Sequence, residues 1–300
     1  MKKRELGKSG LYVSELALGT MSFPDNEVEA KKIVDTAIHA GINFFDTANI
    51  YAGSKNEKIV GNALKEHREN IVLATKVGNK LNADGEGWTW DPTKRHITEE
   101  VKHSLHRLGT DYIDLYQLHG GTMEDNIDET IDAFESLKKE GLIRQYGISS
   151  IRPNVIKRFL EESTAVSVMM QYSPLDRRPE EWIPLISRSG ASIITRGTLA
   201  KGYLTMEGQK RANASDGFAL YHTADLKQIV NTLNEEVDDL HAASIAFALQ
   251  NKTVASALVG ARTTTQLLDS IVAYEKGCST DQMDNLKNLT AMHRYTEHLI

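Results

Sequence analysis

The sequence predicts an α/β protein: a closed (β/α)8 barrel of parallel strands alternating with helices, with an N-terminal β-hairpin closing its bottom. Three observations predict it. Short apolar runs recur along the 300 residues, each followed by an amphipathic stretch. The runs are rich in β-branched and aromatic residues and bounded by Gly, Asn, Asp or Ser, as strands buried on both faces should be. No Gly-x-Gly-x-x-Gly follows the first run, where an open dinucleotide-binding sheet would place it.

In chain order, residues 4–13 turn through Gly7 and Gly10 and read as the hairpin. Strands are predicted at 16–21, 42–48, 71–76, 113–119, 146–150, 166–172, 192–197 and 256–261. Between them, 27–40 lines up Ala30, Ile33, Val34, Ala37 and Ile38 at helical spacing, and 126–140 does the same with Ile127, Ile131, Phe134 and Leu137. Gly41, Gly141 and Gly190 stand where a left-handed residue ends a helix. Two long segments, 77–95 with Trp88 and Trp90 and the polar 202–223, follow strand ends, where a barrel builds its active site.

The chain carries a net charge of −6, which argues against nucleic acid as a partner, since displacing counterions from phosphates needs a basic face. The single cysteine, Cys278, can form neither an internal disulfide nor a zinc cluster. No run approaches 18 apolar residues, and no apolar segment follows the basic residues at 2–4. The expectation is one cytoplasmic, monomeric domain over 1–300, with no membrane partner and no metal. His103 and His106 are spaced like ligands on a helix but lack a third partner, so they read as surface residues.

Polar residues at the ends of apolar strands are the candidate site. Asp46, Lys76 and His119 end the second, third and fourth strands, and Tyr51 follows Asp46 by five residues. A tyrosine hydroxyl is a poor acid near neutrality unless its surroundings tune it, and a nearby ammonium favours the phenolate. An aspartate would hold the lysine charged, and a histidine can orient a carbonyl oxygen. Each taken singly reads equally well as a barrel-mouth salt bridge or a buried hydrogen bond.

The stretch Asp46-Thr47-Ala48-Asn49-Ile50-Tyr51, with Asn56-Glu57 and Gly61-Asn62-Ala63-Leu64, resembles the aldo-keto reductase signature. Ala74-Thr75-Lys76, the segment from Asp111 to His119, Gly141-Leu142-Ile143-Arg144 through Gly147-Ile148-Ser149, Gln171-Tyr172-Ser173-Pro174-Leu175 and Gly260-Ala261-Arg262 match further family segments in order. The resemblance implies a barrel that binds a nicotinamide cofactor and interconverts small aldehydes or ketones with alcohols. By it, Tyr51 is the general acid, Lys76 and Asp46 tune it, and His119 orients the carbonyl. It places Gly19, Thr20, Met21, Asp46, Ser149 and Gln171 near the nicotinamide, and Gly260, Arg262, Gln266 and Ser270 at the adenosine end. Arg262 suits a 2′-phosphate, so NADP(H) is expected over NAD(H). The segment from Thr195 to Gly202 departs from the family: Arg196 stands where a tyrosine commonly stacks on the nicotinamide, with Gly197, Leu199 and Lys201 beside it. The family's Ser-Asn pair is Ser149-Ser150 here.

Trp88 and Trp90 either wall the substrate pocket or pin their loop to the rim. Arg177 and Arg178 read as solvent-facing salt bridges, or else as contacts to an anionic substrate or pyrophosphate. The alternative function is a cofactor-binding redox sensor resembling the β-subunits of potassium channels.

Overall fold

The structure, a computed structural model, describes residues 1–82 and 86–299. Eight parallel strands close into a barrel: β1 (Leu16–Gly19), β2 (Phe44–Asp46), β3 (Val72–Val77), β4 (Ile113–Leu118), β5 (Ile143–Ser149), β6 (Ser167–Gln171), β7 (Ser192–Arg196) and β8 (Val254–Gly260). Each pairs with its neighbour in sequence, and β8 closes on β1 with Gly260 opposite Gly19. The helices are α1 (Glu27–His39), α2 (Lys55–Leu64), α3 (Lys94–Leu108), α4 (Ile127–Lys139), α5 (Pro153–Glu162), α6 (Ile183–Ser189), α7 (Gly208–Asn213), α8 (Thr223–Glu236), α9 (Leu240–Leu249), α10 (Thr264–Lys276) and α11 (Thr280–Leu289). No helix among the described residues is long and apolar enough to cross a membrane.

Two apolar layers result. One lies between the strands and the helices. The other fills the barrel with Ala17, Phe44, Val72, Ala74, Leu115, Met169 and Ile194. The hairpin Lys3–Glu5 with Tyr12–Ser14 sends Leu6 and Val13, both fully buried, into this inner layer, which plugs the N-terminal end. Gly7 sits close under Val166, where a Cβ would lie 2.5 Å from the Val166 carbonyl oxygen.

Period-two alternation then dictates what stands at the other end. Two residues beyond an inner-facing apolar position, each strand presents its last inward side chain: Gly19 after Ala17, Asp46 after Phe44, Lys76 after Ala74, and Gln117 after Leu115. Ser149 follows Gly147, Gln171 follows Met169, Arg196 follows Ile194, and Gly260 follows Leu258. The apolar plug therefore ends in one polar or glycine layer at the C-terminal mouth.

The long segments hold local structure. In 77–95 a hairpin pairs Asn79–Leu81 with Trp88–Trp90; residues 83–85 of that loop lie outside the described residues. Segment 202–223 contains α7 and the small hairpin Gly217–Phe218 with Tyr221–His222.

Gly61, in the motif ahead of Ala63 and Leu64, has a packing reason. A Cβ there would sit 2.6 Å from Leu108 Cα, where α2 crosses the end of α3. Gly61→Ala should therefore cost about 1–3 kcal/mol through overpacking, read as a lower urea midpoint, with the C-terminal mouth of the barrel untouched. An unchanged midpoint would mean that the two helices separate freely.

Candidate active site

Asp46 and Lys76 stand on adjacent strands, in register so that Asp46 lies opposite Ala74. Both are almost completely buried. Lys76 Nζ donates to Asp46 Oδ2 at 2.7 Å, to the Thr47 carbonyl at 2.6 Å and to Tyr51 Oη at 3.4 Å. Gln117 Nε2 donates to the other carboxylate oxygen of Asp46 at 3.3 Å. Burial lifts the Asp46 pKa even against the pull of Lys76. For Lys76, burial works against the charge, but Asp46 and Tyr51 together overcome it and raise its pKa. Hydrogen-bond chemistry supports a charged lysine. Its three oxygen partners match the three donors of an ammonium, whereas a neutral amine offers two.

Tyr51 reaches this ammonium because the chain turns back sharply. Ala52, Gly53 and Ser54 take left-handed φ values of 48°, 60° and 70°, and Ser54 Oγ closes the loop on the Asn49 carbonyl at 2.7 Å. Left-handed backbone costs a non-glycine residue about 1–2 kcal/mol, so the turn is held by its surroundings. The half-buried Tyr51 ring meets His119 edge-on, with centroids 6.3 Å apart, and Lys76 Nζ lies 5.0 Å from its centroid.

His119 follows β4 directly, and its Nδ1 is buried without a partner among the described residues. Burial first, then the fields of Lys76 and Arg196, pushes its pKa down to about 3. The imidazole is neutral at pH 7 and offers one N–H donor. In the unfolded chain it binds a proton below about pH 6.5, and the folded state does so only near 3. Its contribution is fully present above about pH 6.5 and is lost as pH falls toward 3. Between pH 7 and 5 this amounts to about 2 kcal/mol. Denaturant titrations should show that drop in the wild type, reduced by about the same amount in His119→Asn; parallel curves would contradict a neutral buried imidazole.

The strands β5 to β8 and β1 supply the rest of the mouth. Ser149 is buried at the end of β5. Gln171 and Arg196 are register partners, and Arg196 Nη1 donates to Gln171 Oε1 at 3.1 Å. Gly197, with φ 64°, lies against Gln171, where a Cβ would be 3.1 Å from its Cγ. Leu199 is half-buried and Lys201 exposed, in a turn with Lys201 at φ 57°. Gly260 and Met21 are exposed near Gly19. At the start of α10, Thr263 caps the helix and Gln266 Oε1 accepts from the Arg262 amide at 2.9 Å. The exposed Arg262 and Lys201 form no ion pair among the described residues.

Two expected cofactor residues have their side chains engaged internally. Thr20 is fully buried, its hydroxyl 2.9 Å from both the Asp46 carbonyl and Asn56 Oδ1. Ser270 is buried under α10, 3.1 Å from His241 Nε2 on α9. The tryptophans divide. Trp90 bonds Asp125 through Nε1 at 2.9 Å and lies over Gly78 and Gly120, which pins the hairpin to the rim; Trp88 is exposed.

The paired arginines do form salt bridges, Arg177 with Glu180 at 2.8 Å and Arg178 with Asp176 at 2.6 Å, but at buried and half-buried positions and not facing solvent. Arg177 is buried and donates to the carbonyls of Lys287 and Thr290 at the end of α11. Arg178 chelates Asp176 and packs 4.9 Å from the Tyr295 ring centroid, so the two together clamp the C-terminal tail. Besides their near carboxylates, Glu180 for Arg177 and Asp176 for Arg178, both side chains find partners more than a hundred residues away, which no local pattern reveals.

Sequence reasoning missed three polar residues. Gln117 holds Asp46, and its signal was available: it stands two before His119 on a strand that is otherwise apolar inward. Asn56 ties Thr20 to Thr47, accepting from both hydroxyls and donating to the Thr20 carbonyl at 2.8 Å. Asp176 binds Gln171 and Arg178. Exposed on α3, His103 and His106 join no cluster, and no group of metal-ligand side chains occurs among the described residues.

The family model described as "Aldo/keto reductase family" matches residues 15–291. A Bacillus subtilis relative, called an uncharacterized oxidoreductase YqkF, is 47% identical over 99% of each chain. The holo form of the aldo-keto reductase AKR11C1 from Bacillus halodurans superposes with a TM-score of 0.91, at 47% identity and with 99% of both chains covered. An Arabidopsis thaliana protein called a probable voltage-gated potassium channel subunit beta is 30% identical over 92% of each chain. With a barrel of this topology and a matching model over nearly its whole length, this chain belongs to the aldo/keto reductase family.

Proposed function

We propose that this oxidoreductase uses NADP(H) in preference to NAD(H) to interconvert small aldehydes or ketones with their alcohols, with Tyr51 as the general acid. The observation that carries the reading is the bond of a buried, Asp46-held Lys76 ammonium to the Tyr51 hydroxyl. Residues around the mouth fit a nicotinamide dinucleotide. Ser149 and Gln171 offer hydrogen-bonding side chains at the strand ends, and Arg262 and Lys201, without an ion pair among the described residues, suit phosphates. His119 Nδ1 is a buried polar atom without a partner among the described residues.

When bound, the reduced cofactor supplies a hydride to the carbonyl carbon. Tyr51 gives its hydroxyl proton to the carbonyl oxygen. Lys76 stabilises the phenolate left behind, and Asp46 with Gln117 holds Lys76 in place. Neutral His119 directs its N–H at the same oxygen, fixing the carbonyl's orientation without competing as a strong acid. Water then returns a proton to Tyr51. In alcohol oxidation the same groups run in reverse.

The test is oxidation of NADPH, with NADH alongside, against a panel of aldehydes and ketones. Turnover with a lower KM for NADPH supports the reading. Tight binding with no turnover on any carbonyl would favour the sensor reading, which the channel-subunit relative keeps in view.

Arg196 adds a cofactor prediction. A guanidinium plane can stack on the nicotinamide ring, but it repels the positive oxidised ring and not the neutral reduced one. Two unit charges about 4 Å apart in water interact by about 1 kcal/mol. Arg196→Tyr should therefore improve NADP⁺ binding relative to NADPH by roughly fivefold. An unchanged ratio of dissociation constants would remove this role.

A further inference from the structure

Asp176 lies five residues past the end of β6, and its carboxylate is 1% exposed. Reciprocal amide bonds with Ser173, at 2.9 and 3.2 Å, fix its backbone. Three donors converge on it. Arg178 Nε meets Oδ1 at 2.7 Å, Arg178 Nη2 meets Oδ2 at 2.6 Å, and Gln171 Nε2 meets Oδ2 at 2.8 Å.

This arrangement settles which way the Gln171 amide faces. An ionised carboxylate only accepts hydrogen bonds, so it takes the NH2 end of the amide. The Oε1 end is left on the opposite side, where Arg196 Nη1 donates to it at 3.1 Å. A reversed amide would set a carbonyl oxygen against a buried carboxylate and an NH2 against a guanidinium. Both contacts are repulsive. Gln171 therefore shows the mouth an acceptor, and a ligand is matched there only if it brings an N–H.

We infer that Asp176 is a positioning residue for the nicotinamide end of the site: it orients Gln171 so that Oε1 selects a ligand carrying a primary carboxamide. The inference rests on the reading of Gln171 as a nicotinamide neighbour. It assigns the specificity for the amide N–H to a side chain that itself stays out of contact with the ligand. Through Arg178, the same carboxylate is also tied to Tyr295 in the C-terminal tail.

The test compares dissociation constants of the full-length protein for three ligands. NADP⁺ carries the carboxamide, its 3-acetylpyridine analogue replaces the NH2 with a methyl group, and 2′-phospho-ADP-ribose lacks the ring. Wild type should bind NADP⁺ about tenfold more tightly than the analogue, the worth of one hydrogen bond. In Asp176→Asn the new amide can donate to Gln171 Oε1 and turn it round. The preference should then fall toward one, with 2′-phospho-ADP-ribose affinity unchanged. A variant that keeps the wild-type preference overturns the inference. So does equal weakening of all three ligands, which is the mark of a merely structural role. A wild type that binds NADP⁺ no better than 2′-phospho-ADP-ribose overturns the nicotinamide reading itself, and the inference with it. Should Asp176→Asn leave Arg178 uncompensated and fail to fold, Asp176→Asn with Arg178→Gln removes both charges together and carries the same expectation.

Discussion

Replacing Tyr51 with phenylalanine should lower carbonyl turnover by about 10²–10⁴-fold, the usual worth of a positioned general acid. The fold should not change. The Tyr51 hydroxyl makes one long bond, 3.4 Å from Lys76 Nζ, and phenylalanine keeps the ring that meets His119 edge-on. Cofactor affinity should stay within about twofold, because in the proposed mechanism the lost group donates to the substrate oxygen and not to the cofactor. The measurement is steady-state NADPH oxidation on the best carbonyl of the panel, with cofactor titration alongside. A loss smaller than about tenfold would transfer the acid role to another group or to water.

Lys76→Met should have the largest effect on stability. Asp46 and Lys76 are both almost completely buried and paired at 2.7 Å. Removing the lysine leaves the carboxylate with Gln117 as its side-chain donor, at 3.3 Å. Breaking a buried pair from one side costs about 3–5 kcal/mol, far more than the fraction of a kcal/mol typical of exposed pairs such as Arg95–Glu99. Combining Lys76→Met with Asp46→Asn removes both charges and should recover most of that stability. It should not recover turnover if the proposed mechanism holds, since the ammonium assigned there to the Tyr51 phenolate is gone. Denaturation midpoints and turnover measured across this set separate the two roles of the pair. A double variant as unstable as Lys76→Met would show that the loss is one of packing and not of an uncompensated charge.

The C-terminal mouth of the barrel was partly legible beforehand. Asp46, Lys76 and His119 stood out as polar residues ending apolar runs, and the structure sets them on β2, β3 and directly after β4. Gln117 carries the same signal, hidden in the sequence because His119 ends the run two residues later. The strands are shorter than the apolar runs 16–21 and 42–48. The chain leaves the ladder at Gly19 and Asp46, and Thr20 and Thr47, which follow, stay buried and bond Asn56. The tail clamp by Arg177 and Arg178 was not legible at all, nor was the burial of Ser270 against His241.

The sequence by itself determined the short apolar strands, the helices with their glycine ends, the eightfold alternation, the family, and the residue types at the mouth. These are local properties, written in residues a few positions apart. Only the tertiary structure decided which polar groups share a bond. Asp46 meets Lys76 across 30 residues and Gln117 across 71. Arg177 meets Thr290 across 113, and Asp176 meets Gln171 through a turn of its own. Barrel closure and strand register bring these side chains together, and burial then makes each pairing obligatory, because a charge or amide without a partner there costs more than the fold can spare.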